Sequence, residues 1–430
     1  MSTSAQLLRL ATAGSVDDGK STLVGRLLFD TKSVLADHID AVERASVDKG
    51  LATPDLSLLV DGLRAEREQG ITIDVAYRYF ATPQRSFVLA DTPGHVQYTR
   101  NTVSGASTAQ LVMLLVDARK GVVAQTRRHA AVLALLGVPK LVLAVNKIDL
   151  VENPAEVFAN ISAEFNRLTA GLGWAPEDVQ EIPVSALFGD NVAFRSEHTP
   201  YYDGPTLIEH LESVPVDADS ERTEIGLRFP VQYVIRPRSA AFPDYRGYAG
   251  QVAAGSVRPG DEVVILPSGV RSTIAKIDTA DGELEVAEAG RSVTLLLTTD
   301  VDVSRGDVIA SPIDAPEPLS AFDATVCWLA EKPLRPGARL LLKHGTRTTQ
   351  AIVGALIDRF DEQNLSSDPS PATLELNDIG RISVRVAEPI VADDYAVNRH
   401  TGSFLLIDPA GGNTLAAGLV GDVLTAVELG

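Results

Sequence analysis

Short apolar runs alternate with stretches of helical pattern over residues 7–215. The apolar runs predict five strands, at Leu7–Ala13, Phe87–Ala90, Leu111–Val116, Leu141–Val145 and Ile182–Val184. The stretches between them predict four helices, at Lys20–Phe29, Thr126–Leu136, Pro154–Ala170 and Thr206–Glu212. Strands that are apolar along their whole length are typical of a parallel sheet covered on both faces. The alternation therefore predicts a doubly wound α/β domain.

A different pattern begins after Asp217, where short β-branched runs are separated by glycine and proline turns. These runs predict strands at Val231–Ile235, Glu262–Leu266, Ser292–Leu297, Thr325–Leu329, Arg339–Lys343 and Arg381–Val386. Short strands at this spacing indicate small closed barrels or sandwiches. The proline-containing segment Ile313–Ser320, which lacks a strand pattern, divides the region in two. We therefore predict three domains, a nucleotide-binding domain over residues 1–217 and two β-barrels over residues 218–315 and 316–430.

Composition and charge exclude several classes of function. Hydrophobic residues make up 45% of the 430 residues, which is enough to build real cores and excludes a disordered chain. The net charge of −19 creates a mean field that repels polyphosphate backbones. The apolar run Leu111–Val116 is far shorter than the roughly 20 residues of a membrane span, and no secretory signal is visible. We expect neither a nucleic acid nor a membrane as partner and, with a single cysteine, a cytoplasmic location.

The first candidate site is the segment Gly14-Ser-Val-Asp-Asp-Gly-Lys-Ser21, which matches the phosphate-loop pattern G-x-x-x-x-G-K-[ST]. It follows a predicted strand and opens a predicted helix, a context that argues against a chance glycine turn. Its backbone N–H groups can surround phosphate oxygens, Lys20 can neutralise the β and γ phosphates, and Ser21 can bind Mg²⁺. The predicted nucleotide-binding residues here are Gly14, Ser15, Val16, Asp17, Asp18, Gly19, Lys20, Ser21 and Thr22.

A second motif, Asp91-Thr-Pro-Gly94-His95, follows the predicted strand Phe87–Ala90. An acid at the end of a buried strand beside a phosphate loop is suited to hold Mg²⁺, directly or through water. Gly94 can bring its N–H close to a γ-phosphate because it has no side chain. His95 follows directly and can orient the attacking water, although a lone histidine after a turn is more often structural.

Two later segments are predicted to bind the base of the nucleotide. Asn146-Lys147-Ile148-Asp149 follows the strand Leu141–Val145, and the Asp149 carboxylate can accept from the N1–H and the exocyclic amine of guanine. Adenine would leave that carboxylate without its partners, so Asp149 should select guanine. The segment formed by Ser185, Ala186 and Leu187 can offer backbone N–H groups to the guanine carbonyl.

Two further residues complete the predicted site. Thr72, in the charged segment Arg64–Ile73, can offer a hydroxyl to Mg²⁺ and an N–H to the γ-phosphate, which would order this segment only when the third phosphate is present. On charge pattern alone, the same segment is typical of a solvated helix. Asp17 is a candidate ligand for a monovalent cation, because a carboxylate this close to phosphates is repelled unless a cation intervenes.

The order of these motifs resembles the translation-factor class of GTPases. Within that class, the segments Asp61–Phe80, Gln97–Asn101, Arg228–Val234, Tyr245–Gly250 and Thr401–Asp408 closely resemble the large GTPase subunit family of bacterial sulfate adenylyltransferase (ATP sulfurylase). The resemblance runs from about Leu8 to the end of the chain. It implies an elongation-factor-like architecture, an α/β P-loop GTPase domain followed by two small all-β barrels.

The resemblance also implies a function and partners. In this family GTP hydrolysis drives the formation of adenosine 5′-phosphosulfate and pyrophosphate from ATP and sulfate, on a small catalytic partner subunit. Some relatives carry a fused adenylylsulfate kinase, but no second phosphate loop follows residue 217, so we expect such a kinase only as a separate partner or as a domain missing from this sequence. The alternatives are an elongation-factor-like translation GTPase and a scaffold that binds GTP without turnover.

Overall fold

The computed structural model describes residues 7–48, 53–60, 75–94, 99–215, 225–237, 245–361 and 363–423. The chain forms two compact units. The first comprises Met1–Val216, Glu362–Ser366 and Thr425–Gly430, and the second comprises Asp217–Asp361 and Ser367–Leu424. The three domain limits given above stay a prediction. Across the described residues, none of the helices combines the length and the apolar character that crossing a bilayer requires.

The first unit is a six-stranded sheet flanked by helices. Its strands are β1 (Leu7–Gly14), β2 (Ala76–Ala81), β3 (Ser86–Asp91), β4 (Leu111–Asp117), β5 (Lys140–Asn146) and β6 (Val179–Pro183). Its helices are α1 (Lys20–Asp30), α2 (Ala36–Asp48), α3 (Thr99–Ala106), α4 (Ala124–Leu135), α5 (Pro154–Gly171) and α6 (Leu207–Ser213). The strand order is β2-β3-β1-β4-β5-β6, and all neighbours are parallel except β2 and β3.

This arrangement brings the strand ends that carry the motifs to one edge of the sheet. Every residue of β4 is buried, as expected for a central strand with helices on both faces. Because β1, β3, β4 and β5 are parallel neighbours, the segments that follow them emerge side by side. The five strands predicted here are all present, with ends shifted by at most three residues.

The second unit contains two antiparallel barrels. The strands of the first barrel region are β7 (Arg228–Ile235), β8 (Gly247–Gln251), β9 (Ser256–Val257), β10 (Glu262–Leu266), β11 (Val270–Thr279), β12 (Gly282–Glu283), β13 (Ala287–Glu288), β14 (Ser292–Leu297) and β15 (Val308–Ala310). Those of the second are β16 (Pro318–Trp328), β17 (Arg339–His344), β18 (Arg347–Asp361), β19 (Ser366–Pro369), β20 (Ile379–Val391), β21 (Ser403–Ile407) and β22 (Thr414–Val420).

Each barrel closes through one extra pairing. The order β10-β15-β7-β8-β14-β11 is closed by β10 pairing with β11, and the order β17-β21-β22-β16-β20-β18 is closed by β17 pairing with β18. Each barrel surrounds its own apolar core, one centred on residues such as Phe229 and Ile265, the other on residues such as Val326 and Ile382. An α/β domain followed by two six-stranded barrels confirms the predicted fold class.

Candidate nucleotide-binding site

The phosphate-loop segment is the turn between β1 and α1. β1 ends at Gly14 and α1 begins at Lys20. Gly19 caps the helix with φ 94°, a left-handed conformation that favours glycine. A Cβ at Gly19 would lie 2.3 Å from the Asn146 amide nitrogen, so the residue that follows β5 packs directly on this turn.

The Lys20 ammonium is held inside the turn. Its Nζ donates to the carbonyls of Gly14 and Ser15, both at 2.8 Å. Burial lowers the pKa of this amine, while the carboxylates of Asp91, Asp18 and Asp17 oppose that shift. The backbone of the loop therefore holds the Lys20 ammonium in position, and three nearby carboxylates favour its charged form. A charged ammonium held in this way can bind an anion.

Asp18 turns its carboxylate back into the loop. Its Oδ2 accepts from the Ser15 N–H at 2.7 Å, and its backbone carbonyl accepts from the Asn146 amide at 2.8 Å. Burial raises the pKa of Asp18, and the Ser15 hydrogen bond opposes the rise. This residue therefore shapes the turn, whereas its neighbour Asp17 is exposed.

Asp91 and Gly94 lie beside the same turn. Asp91 ends β3 and is buried, and its Oδ1 accepts from the Thr12 hydroxyl of β1 at 2.8 Å. A Cβ at Gly94 would lie 2.3 Å from Lys20 Nζ and 2.6 Å from the Gly14 carbonyl oxygen. Only a glycine allows this backbone to approach the lysine so closely.

The two remaining residues assigned to this end of the site, Thr72 and His95, lie outside the described residues. A carboxylate at Asp91 and a hydroxyl at Ser21 form an oxygen donor set that fits Mg²⁺, a metal that commonly keeps waters and takes phosphate oxygens as its other ligands. Over the described ranges, no three His, Cys, Asp or Glu side chains are grouped to bind a metal ion by themselves.

Asn146 joins the phosphate side of the site to the base side. It ends β5 and is buried. Its Nδ2 donates to the Asp18 carbonyl, and its Oδ1 accepts from the Ala186 N–H at 3.0 Å. One amide therefore ties the phosphate-loop turn to the segment Ser185–Gly189, which we name the base loop.

Lys147 adds a second connection. It has φ 61°, and its Nζ donates to the Asp17 carbonyl and lies 3.1 Å from Asp117 Oδ2. Asp117, fully buried at the end of β4, also accepts from Arg119 Nε at 2.9 Å and Nη2 at 2.6 Å. Burial alone would raise the pKa of Asp117, but the hydrogen bonds from Arg119 and Lys147 outweigh it and hold that pKa well below its ordinary value.

The groups assigned to the nucleotide base lie after β5 and β6. Asp149 lies in a 3₁₀ turn after β5, Ile148–Leu150, and is exposed. The base loop is closed by its own hydrogen bonds, from the Gly189 N–H to the Ser185 carbonyl at 2.7 Å and from the Phe188 N–H to the Ser185 hydroxyl at 3.4 Å. These hydrogen bonds hold the loop backbone in a closed turn.

Sequence reasoning missed two residues that contact this site. One is Asp117, which an acid at the end of a predicted strand could have indicated. The other is His129 of α4, 1% exposed, whose Nδ1 accepts from the Gly14 N–H at 3.0 Å and whose Nε2 lies 2.6 Å from Gln125 Nε2. Burial, helped by the charges of Lys20 and Arg128, lowers the pKa of His129 to about 3. No sequence spacing signals such a contact, because it forms only when α4 packs below the turn.

Two family models match parts of the chain. Residues 5–224 match the family described as the elongation factor Tu GTP binding domain, and residues 321–421 match the GTP-eEF1A C-terminal domain-like family. A Sup35 chain solved in complex with GDP aligns with 97% of this chain and 94% of its own length, at 24% identity and a TM-score of 0.44.

Relatives of known name align over nearly the whole chain. The bifunctional enzyme CysN/CysC of Mycobacterium tuberculosis is 53% identical over 96% of this chain and 67% of its own length. Bifunctional enzyme NodQ of a Rhizobium species is 49% identical over 96% of this chain and 63% of its own length. Sulfate adenylyltransferase subunit 1 of Methylorubrum populi is 49% identical over 99% of this chain and 89% of its own length.

Proposed function

Since this chain belongs to the family of sulfate adenylyltransferase subunit 1, within the class that carries the elongation factor Tu GTP-binding domain, we propose that it is the GTPase subunit of a sulfate adenylyltransferase. It hydrolyses GTP to drive the formation of adenosine 5′-phosphosulfate and pyrophosphate from ATP and sulfate. The observation that carries this proposal is the Asn146 amide, which joins a lysine-bearing phosphate turn to a base loop in a chain so closely related to these enzymes.

The phosphate end of the site has a defined division of labour. Lys20 and the backbone N–H groups of Val16–Thr22 hold the phosphates. Ser21, Thr72 and Asp91 would hold Mg²⁺, which would neutralise the charge that develops on the phosphates. Gly94 approaches the γ-phosphate, and His95 orients the attacking water. Asp17, exposed beside Lys147, is the site proposed for a monovalent cation.

The base end selects guanine. Asp149 accepts from the N1–H and the amine of the base, while Asn146 and Lys147 hold the phosphate turn in place. The base loop, which contains Ser185, Ala186 and Leu187, supplies a backbone N–H to the guanine carbonyl. Adenine has an acceptor at N1 where guanine has an N–H donor, so adenine leaves the Asp149 carboxylate without a hydrogen-bond partner.

The partners follow from the reaction. A small subunit carries the adenylyl-transfer site, so the working unit is a heterodimer or a higher assembly, and an adenylylsulfate kinase is a further partner that would consume the product. The reaction is assigned to the cytoplasm. A translation GTPase is the less supported alternative, because a tRNA carrier needs a basic face and residues 218–430 hold 19 basic against 30 acidic side chains, a net charge of −11.

The test is a pyrophosphate-release assay that depends on sulfate and GTP. The purified chain alone should form no phosphosulfate from ATP and sulfate, and addition of the small subunit should restore product formation with GTP consumption. Lys20→Ala should reduce GTP-dependent product formation by about 100-fold or more, because it removes a charge aimed at the phosphates. Lys32→Ala, which removes an exposed lysine from the segment after α1, is the matched control and should keep full activity.

Two results would contradict the proposal. Product formation by this chain without a partner would remove the division of labour between subunits. Product formation that proceeds at the same level without GTP would show that hydrolysis does not drive the reaction.

A further inference from the structure

Arg26 of α1 reaches across to the base loop. Its Nε donates to the Ala186 carbonyl at 3.3 Å, and its Nη2 donates to the Leu187 carbonyl at 2.5 Å. These are consecutive carbonyls of the loop assigned to the guanine oxygen. The guanidinium of Arg26 therefore binds the loop backbone from one side, in the planar forked geometry that only arginine offers.

The guanidinium is itself fixed in position. Its side chain is 16% exposed, its Nη1 lies 3.5 Å from Asp30 Oδ1 one turn later in α1, and its Cζ lies 5.6 Å from the centroid of the Phe29 ring. A Cβ at Gly189, where φ is +88°, would lie 3.4 Å from Arg26 Nη1. The far end of the base loop therefore packs on the same group.

The carbonyl contacts determine where the loop N–H groups point. The peptide bond between Ala186 and Leu187 is trans, so its N–H points opposite to its C=O. With that carbonyl held by Arg26, the Leu187 N–H faces away from α1. The Ala186 N–H already donates to Asn146 Oδ1, and the Phe188 N–H donates to the Ser185 hydroxyl. Among the hydrogen bonds of the described residues, Leu187 N–H has no acceptor.

We propose that Arg26 is a positioning residue for base selection, which holds the Ala186 and Leu187 carbonyls so that the Leu187 N–H donates to the 6-oxo group of guanine. This inference rests on the proposed function, since it takes the base loop as the guanine site. The contacts of Arg26 that carry this role are with the protein backbone, Asp30 and Phe29. It acts through one peptide plane, and it also sets the distance between the helix that begins at the phosphates and the loop that receives the base.

The test compares GDP with 6-thio-GDP, in which sulfur, a weak acceptor, replaces the 6-oxo oxygen while the N1–H and the amine remain. The full chain should bind GDP about tenfold more tightly, the worth of one good hydrogen bond in a desolvated site. Arg26→Met keeps the aliphatic part of the side chain but removes the guanidinium donors. It should lower the preference for GDP over 6-thio-GDP to less than about threefold. Arg26→Lys, with a single ammonium, should fall between the two.

Arg167→Met is the matched control, because Arg167 donates to a backbone carbonyl on α5, away from the base loop. It should keep the full preference for GDP. Thermal unfolding without nucleotide identifies a variant that fails to fold, and in that case Arg26→Lys decides the question. An unchanged preference for GDP in Arg26→Met, or equal binding of the two nucleotides by the natural chain, would overturn the inference while GDP binding itself remains. Failure of the natural chain to bind either nucleotide would overturn the proposed function as well.

Discussion

A single histidine nitrogen supports the start of the phosphate turn. The Gly14 N–H points at Nδ1 of His129, so this nitrogen must carry a lone pair rather than a proton. Burial keeps the ring neutral, since the pKa of His129 is lowered to about 3. Protonation of the ring at Nδ1 would place its N–H against the Gly14 N–H, at the start of the loop proposed to bind the phosphates.

This arrangement makes stability depend on pH in a predictable direction. The unfolded chain binds a proton at a histidine pKa near 6.5, while the folded chain resists protonation down to a pKa of about 3. The contribution of His129 is therefore complete above pH 6.5 and is lost as the pH falls toward 3. Between pH 7 and pH 5 the natural chain should lose about 2 kcal/mol of unfolding free energy that His129→Asn does not lose.

Asparagine is the informative replacement, because its side-chain oxygen can accept from Gly14 but does not titrate. Denaturant unfolding followed by Trp174 fluorescence, in chains that also carry Trp328→Phe, reports on the first unit alone. If the natural chain and the His129→Asn chain lose the same free energy over this pH range, His129 is not held neutral by the fold.

At the scale of elements, continuous apolar runs were enough to predict the interior of the sheet. The central strands β4 and β5 are buried along almost their whole length, and the continuous apolar sequence of such strands can be recognised without knowledge of the neighbouring strands. The antiparallel edge strand β2 was missed, because its outward positions carry exposed Tyr77 and Tyr79 and its pattern is not continuously apolar. Helices α2 and α3 were missed because their sequences are polar on balance.

The barrels were predicted as a class but not strand by strand. β8 and β22 are rich in glycine and alanine, and their place depends on neighbouring strands that the sequence does not bring together. β18 runs from Arg347 to Asp361 and alternates buried positions with exposed or half-buried ones, a pattern that a search for short apolar runs does not find.

The candidate site shows the same limit. Residues in compact motifs, such as Lys20 and Asn146, could be predicted because the residues next to them in the sequence complete a recognisable motif. Arg26 and His129 could not, since each acts as a single residue whose partner lies far along the chain, and Asp117 is marked only by its place at the end of a predicted strand. Their contacts exist only after helices and strands have packed.

The two barrels of the second unit are joined by a buried ion pair. Arg228 of β7, 3% exposed, donates through Nε to both carboxylate oxygens of Asp393 at 3.1 and 3.2 Å. Its Nη2 donates to the Asp314 carbonyl at 2.6 Å, and Asp393 also accepts from the Thr401 hydroxyl at 2.6 Å. One arginine thus connects the first barrel, the segment between the barrels and the residues after β20.

Arg228→Met should leave Asp393 buried without its cation. Removing one partner of such a pair costs about 3–5 kcal/mol, so we expect a loss of this size in the unfolding free energy of the second unit. Denaturant unfolding followed by Trp328 fluorescence, in chains that carry Trp174→Phe, measures it.

The matched double variant, Arg228→Met with Asp393→Asn, removes both charges and keeps an acceptor for Thr401. It should recover part of the lost free energy, because no buried charge is left unpaired. If Arg228→Met alone unfolds at the same denaturant concentration as the natural chain, the pair does not hold the barrels together.

At the scale of the whole molecule, the acidic charge extends over both parts of the chain. Residues 1–217 hold 19 basic against 27 acidic side chains, a net charge of −8, yet this part carries the site proposed for a polyanion. A loop of inward N–H groups, one buried ammonium and a helix N-terminus create a local positive potential inside a negative surface. We therefore expect nucleotide binding to depend on short-range contacts with these groups and not on long-range electrostatic attraction by the whole chain.

Calorimetric titration of the folded full chain with Mg²⁺ and GTP tests this account most directly. We expect one GTP site per chain and no measurable heat of binding with ATP under the same conditions. A full chain whose tryptophan fluorescence shows a cooperative unfolding transition in denaturant, but which takes up no GTP, would contradict the account.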